Sequence, residues 1–96
     1  MLFVIAATDR QNSIELRKAT RDTHLAYLER TGVVKLAGPF MDANGNPAGS
    51  LLIVDVADQH AAVEWASNDP YAKADLFASV DISAWKATVN NCGAQL

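Results

Sequence analysis

A single cysteine among 96 residues excludes an intramolecular disulfide framework, and that residue, Cys92, lies in a polar stretch from Asn90 to Gln95. The expected compartment is the reducing cytoplasm. No neighbour of Cys92 in sequence would lower a thiol pKa, so it reads as inert. Positive charge is scarce as well: eight Lys and Arg against eleven Asp and Glu leave a formal net charge of −3. Such a chain has no overall field for phosphate backbones, and no basic residues interleave with its two tryptophans and two tyrosines. Nucleic acid is therefore not an expected partner. Long apolar runs are also missing. The opening MLFVIAA gives way to charge at Asp9 and Arg10 without a basic leader, so neither secretion nor a membrane partner is expected. There is no glycine-rich phosphate loop, no nucleophile elbow and no Cys/His set at zinc spacing, which leaves a cofactor or a metal without support.

What is present is a globular balance, half of the residues hydrophobic and a fifth charged. That is far from the composition of chains that stay disordered. A chain of this length builds one core, so residues 1–96 are read as a single domain with a polar tail over 90–96.

Residues 2–7 are β-prone. Asn12, with Glu15 three positions on, predicts a capping-box start to a helix that runs through Arg30 and stops at Gly32. A strand over 33–41, a turn-rich stretch over 42–49 and a strand over 51–56 predict a hairpin. Asp58 caps a helix over 59–67, Pro70 breaks it, a short helical turn covers 71–77, and a last strand runs over 79–89. The order is βαββαβ. Two right-handed βαβ halves around a central hairpin give an α+β, ferredoxin-like fold, a four-stranded antiparallel sheet in the order 4-1-3-2 with both helices on one face. In the central strands both parities are apolar: Leu2, Val4 and Ala6 against Phe3 and Ile5, and Leu51 and Ile53 against Leu52, Val54 and Val56. A solvated face would alternate with polar residues, so a second copy is expected to cover the helix-free face and make a homodimer.

On the first helix Arg17, Arg21, His24 and Leu28 recur at spacings of four, three and four, in one stripe. The stripe borders Leu25 and Leu28, read as core-facing, which puts His24 at the edge of the helix–sheet seam. Histidine is the natural proton carrier near neutral pH, although a lone helical histidine beside a core is more often a packed or solvated residue. Asp69 in Asn68-Asp69-Pro70-Tyr71 is explained by capping alone. If that loop folds back beside the first helix, Asp69 can instead accept the His24 Nδ1 hydrogen and leave the other ring nitrogen for a substrate. Gly38-Pro39 and Gly49-Ser50 keep the backbone bare at two neighbouring hairpin positions, as a pocket wall or as turn geometry. His60 reads as a surface residue.

The opening MLFVIAATD, the helix segment LRKATRDTHLAYL, GP at 38–39, GS at 49–50 and the segment WASNDPYAKADLF together resemble the YciI-like (YCII-related) family, from Met1 to about Val89. The resemblance implies a ferredoxin-like domain that dimerises through its sheets, as in dimeric α+β barrels, with a pocket centred on a histidine and an aspartate. By position these are His24 and Asp69, with Arg17, Arg21, Ser50 and Tyr71 as substrate-binding neighbours. Asp42 is a weaker candidate for the acid, and the short, Asn/Gly-rich hairpin departs from the family pattern. A related protein type removes chloride from a chlorinated hydroxyhydroquinone, and muconolactone isomerases share the wider fold. The resemblance thus implies a cofactor-independent lyase or isomerase acting on a small anionic or phenolic molecule through His24 and Asp69. The alternative is a non-catalytic module that holds a small metabolite in the same cleft.

Overall fold

The β-branched and aromatic opening forms β1, Leu2–Asp9, and the remaining elements follow as α1 (Ile14–Thr31), β2 (Val34–Met41), β3 (Pro47–Asp55), α2 (Gln59–Ser67), α3 (Pro70–Lys73) and β4 (Phe77–Ala84) in a computed structural model that describes residues 1–96. The strands form one antiparallel sheet in the order β2-β3-β1-β4. That is the expected ferredoxin-like order, met from its other edge, and it is the fold unit of dimeric α+β barrels. No helix is long and apolar enough to cross a membrane.

Local chemistry fixes most boundaries. Gly32 closes α1 at φ 68°, its N–H reaching Leu28 O at 3.2 Å, a left-handed position that glycine adopts without steric cost. Asp58 caps α2 by accepting from Ala61 N at 2.8 Å, as expected. The start of α1 is a correction: Ser13 occupies the cap position and its side chain makes no cap bond, whereas Asn12 sits outside the helix at φ 57°. Asn tolerates that region, which takes its side chain out of the predicted capping box. The last strand is shorter than expected, ending at Ala84 rather than 89, because its partner β1 begins at Leu2 and Trp85 N already donates to Leu2 O. The short helix shrinks to Pro70–Lys73, since Asp75 turns to φ 61° and releases Phe77 into β4. Conversely, β3 starts at Pro47 instead of 51 and takes Gly49 and Ser50 into the sheet.

Cross-strand register sorts the faces. Phe3 opposite Val54, Ile5 opposite Leu52 and Ala7 opposite Ser50 look toward the helices, where Phe3, Ile5, Leu52, Val54, Tyr27 and Trp65 join in the core. The residues of α1 that are buried there are Arg17, His24 and Tyr27, while Leu25 is exposed, contrary to its expected place in the core. On the other face Val4 pairs with Ile53, Ala6 with Leu51 and Leu36 with Ile53. This helix-free face is apolar in the middle of three strands and polar along β4, at Ser79, Asp81 and Ser83, and at Thr8 and Asp55 at the ends of β1 and β3.

At Gly49 β3 runs close against β1: a Cβ there would collide with Ala7 O and press on the Phe40 ring at 3.2 Å. Gly49→Ala is expected to lower stability by about 1–3 kcal/mol, the usual cost of forcing an extra methyl into filled space. Urea denaturation measures it, and an unchanged midpoint would mean that the strands separate freely at that point.

Candidate active site

The helical stripe on α1 does meet the loop before α3. His24 Nδ1 and Asp69 Oδ1 are 2.7 Å apart, both residues buried. The same Oδ1 accepts from Tyr71 N at 2.9 Å, so this carboxyl already acts as an acceptor and caps α3 while it meets the imidazole. Pro70 at the first helical position is preorganised for that turn. With Oδ1 accepting, Nδ1 carries the hydrogen and Nε2 is the nitrogen left for chemistry.

Tyr71 is the wedge of the site. Its ring stacks on the His24 ring at 3.9 Å with planes 15° apart, and the Arg17 guanidinium lies 4.7 Å from its centroid. Arg17 and His24 are two helical turns apart, roughly 10 Å along the axis, so the phenol fills the gap between them. Arg17 Nη1 donates to both Asp9 oxygens at 3.0 and 2.9 Å, and Nη2 donates to Ser50 Oγ at 2.7 Å. Because Ser50 Oγ accepts there, its own hydrogen remains free to point elsewhere.

Between α1 and the β2–β3 hairpin these groups surround a cavity of about 240 Å³, lined among others by Arg21, His24, Ser50, Tyr71 and Pro39. The charge of Arg17 is matched by Asp9 inside the protein. Arg21, at the exposed rim, has no carboxylate partner, and Lys18 joins it there, with only a 4.0 Å exposed contact to Glu15. The field that meets an incoming anion therefore comes from Arg21 and Lys18 rather than from Arg17.

Burial raises the Tyr71 phenol above its ordinary pKa, with the Asp69 and Asp9 charges adding and the Arg17 and Arg21 charges opposing. The hydroxyl stays protonated across the physiological range and can donate. Burial also raises Asp9, outweighing the attraction and hydrogen bonds of Arg17. A carboxyl whose folded pKa exceeds its unfolded one binds its proton more tightly when folded, so its stabilising share is present below the ordinary carboxylate pKa and is lost as pH rises through the folded value. The Asp9 carboxyl carbon is thus expected to titrate at higher pH in the folded chain than in urea, as followed by ¹³C NMR. Coincident midpoints would refute it.

The structure brings five of the six expected site residues, His24, Asp69, Arg17, Ser50 and Tyr71, into direct contact with one another, and places Arg21 on the same cavity wall. Asp42 is elsewhere: its Oδ1 accepts from Asn44 N and Asn46 N and holds the hairpin turn, so it is not the partner of His24. Asp9 was missed. Its signal was strand parity, since Phe3, Ile5, Ala7 and Asp9 alternate toward the helices. No three side chains of metal-ligating type converge anywhere in the chain.

A family model described as the YCII-related domain matches residues 1–86. The chain belongs to the YCII-related domain family. Among curated YCII-related relatives, Protein YciI of Escherichia coli is 36% identical, the match covering 90% of this chain and 97% of that protein. An uncharacterised protein of Haemophilus influenzae is 33% identical over the same shares. Among solved structures, the 5-chloro-2-hydroxyhydroquinone dehydrochlorinase of Burkholderia phenoliruptrix, in complex with 2,5-dihydroxybenzoquinone, superposes with a TM-score of 0.83 at 34% identity, over 90% of this chain and 94% of that one. An antibiotic biosynthesis monooxygenase at 14% identity and a TM-score of 0.58, covering 93% of this chain and 100% of the other, shares the fold alone.

Proposed function

We propose that the chain is a cofactor-independent small-molecule enzyme of the lyase or isomerase type, working by general acid–base proton transfer at His24. The observation that carries this reading is the buried 2.7 Å contact from His24 Nδ1 to Asp69 Oδ1 beside a cavity. Nε2 takes a proton from a substrate O–H or C–H as a leaving group departs or a double bond migrates. Asp69 fixes the imidazole tautomer and stabilises its charged form without touching substrate. Ser50, polarised by Arg17, and the neutral Tyr71 hydroxyl donate to a developing oxyanion, and Arg21 with Lys18 draws in an anionic or phenolic molecule. The similar dehydrochlorinase, in complex with a dihydroxybenzoquinone, supports this chemistry and ligand class. The test is turnover of a panel of chlorinated hydroxyhydroquinones, catechols and lactones by the wild type, His24→Ala and Asp69→Asn. Saturable binding to the Arg21 cavity without any turnover would favour a metabolite-binding module instead.

The working unit in this reading is a cytoplasmic homodimer joined through the helix-free sheet faces. Leu36 and Phe40, 46% and 45% exposed beside Leu51 and Ile53, support it, because such an apolar face is solvated only at a cost of about 25 cal/mol per Å². Light scattering is expected to give twice the chain mass at micromolar concentration and the chain mass for Leu36→Asp. A wild-type monomer would sink the dimer.

A further inference from the structure

The acid that meets His24 faces a second cavity. Asp69 is 2% exposed, and its Oδ1 is occupied by His24 Nδ1 and Tyr71 N. Its Oδ2 receives no hydrogen bond from the protein. No buried side-chain nitrogen or oxygen is both sealed off and without a partner, so Oδ2 reaches accessible space. Of the four cavities in the molecule, Asp69 borders one, and it is not the one that holds His24.

This second cavity, about 420 Å³, opens between α2 and β4. Val63, Trp65 and Ala66 form its helical wall, and Phe77, Val80 and Ile82 form the strand wall. Nine of its twelve lining residues are hydrophobic, which sets what can fill it. A single water on Oδ2, with a volume share of about 30 Å³, would leave most of that apolar wall uncovered. An anion would meet a carboxylate. Oδ2 is an acceptor open to this apolar groove and without a protein donor, so the complementary occupant is an apolar body that ends in one donor.

We propose that the α2–β4 cavity is a binding site for a small hydrophobic molecule bearing one terminal amine or hydroxyl, with the Asp69 Oδ2 lone pair as its polar anchor. The site lies across the Asp69 carboxyl from His24, so an occupant reaches the imidazole electronically without touching it. The inference stands on the geometry of Asp69 and holds whether or not the His24 cavity supports turnover.

The test uses Trp85→Phe, which leaves Trp65 as the sole tryptophan and a wall reporter. Titration with benzylamine or benzyl alcohol is expected to give a saturable Trp65 fluorescence change with Kd on the order of 1 mM, typical of a fragment of that size. Benzoate is expected to bind at least about tenfold more weakly, the signature of a carboxylate anchor worth about 1.4 kcal/mol. In ¹H–¹⁵N spectra the His24 ring signals move with saturation while Arg21 and Leu28, on the other cavity, stay still. Val63→Phe plugs the groove from a 43% exposed position and is expected to abolish the response with the melting temperature kept. Asp69→Asn is expected to weaken the amine more than the alcohol. The proposal is overturned by any one of four results: no saturable response, equal binding of benzoate, an unchanged response in Val63→Phe, or ligand shifts centred on Arg21. A groove filled by a second copy or by the chain's own tail gives the first of these.

Discussion

Asp69→Asn is expected to lower kcat on the best substrate by about 10²–10⁴-fold, the usual contribution of a positioned acid–base group, with KM nearly unchanged. The asparagine side-chain oxygen can still accept from both Tyr71 N and His24 Nδ1, so the cap of α3 and the tilt of the imidazole are preserved. Only the charge is lost. Without it an imidazolium forming at the buried His24 ring has no counter-ion, and the barrier rises even though every atom keeps its place. His24→Ala removes the proton carrier itself and is expected to fall at least as far. The double variant is expected to be no worse than His24→Ala alone, since the two residues act as a unit. Steady-state turnover with a melting curve for each variant settles the matter. Full activity in either single variant would refute the assignment.

Arg17→Ala is expected to produce a large loss of stability. The side chains of Arg17 and Asp9 are 8% and 6% exposed and 2.9 Å apart, so little solvent screens them. Removing one partner of a buried pair strands the other and costs about 3–5 kcal/mol. In a domain of this size that is a fall of roughly 15–30 °C in Tm. The variant also removes the donor to Ser50 and the cation beside the Tyr71 ring, so part of the loss is packing. Replacing both partners with apolar residues, Asp9→Leu with Arg17→Met, is expected to recover much of the stability, as it does for buried pairs elsewhere, while the polarisation of Ser50 stays lost. A loss below about 1 kcal/mol for Arg17→Ala would place the pair with solvent-exposed ion pairs, whose contribution is that small.

Element order, strand order and the apolar helix-free face were all legible in the sequence, because each follows from pattern and punctuation: both parities apolar in β1 and β3, Gly32 as a stop, Pro70 as a break. So was the stripe that carries Arg17, Arg21 and His24, since helical spacing alone puts them together. The depth of that stripe was not. Leu25 has the chemistry of a core residue and is exposed, whereas Arg17 and His24 are polar and buried, an inversion that hydrophobicity cannot signal. What buries them is partners from distant segments, Asp9 from β1, Ser50 from β3 and Asp69 with Tyr71 from the turn before β4. Strand ends were misjudged where a neighbouring strand ran out, as at Ala84, because a ladder needs two chains and the sequence shows one.

The imidazole and its acid are separated by 45 positions along the chain, and one carboxyl oxygen ties both the ring and the backbone of α3. The pairing is therefore a property of long-range closure and not of any segment. During refolding, helices and hairpin can form on their own local signals while His24 remains an ordinary solvated histidine. The His24–Asp69 pair exists only once the turn carrying Asp69 has docked, so a chain arrested just short of that step would be nearly native in shape and would lack the pair.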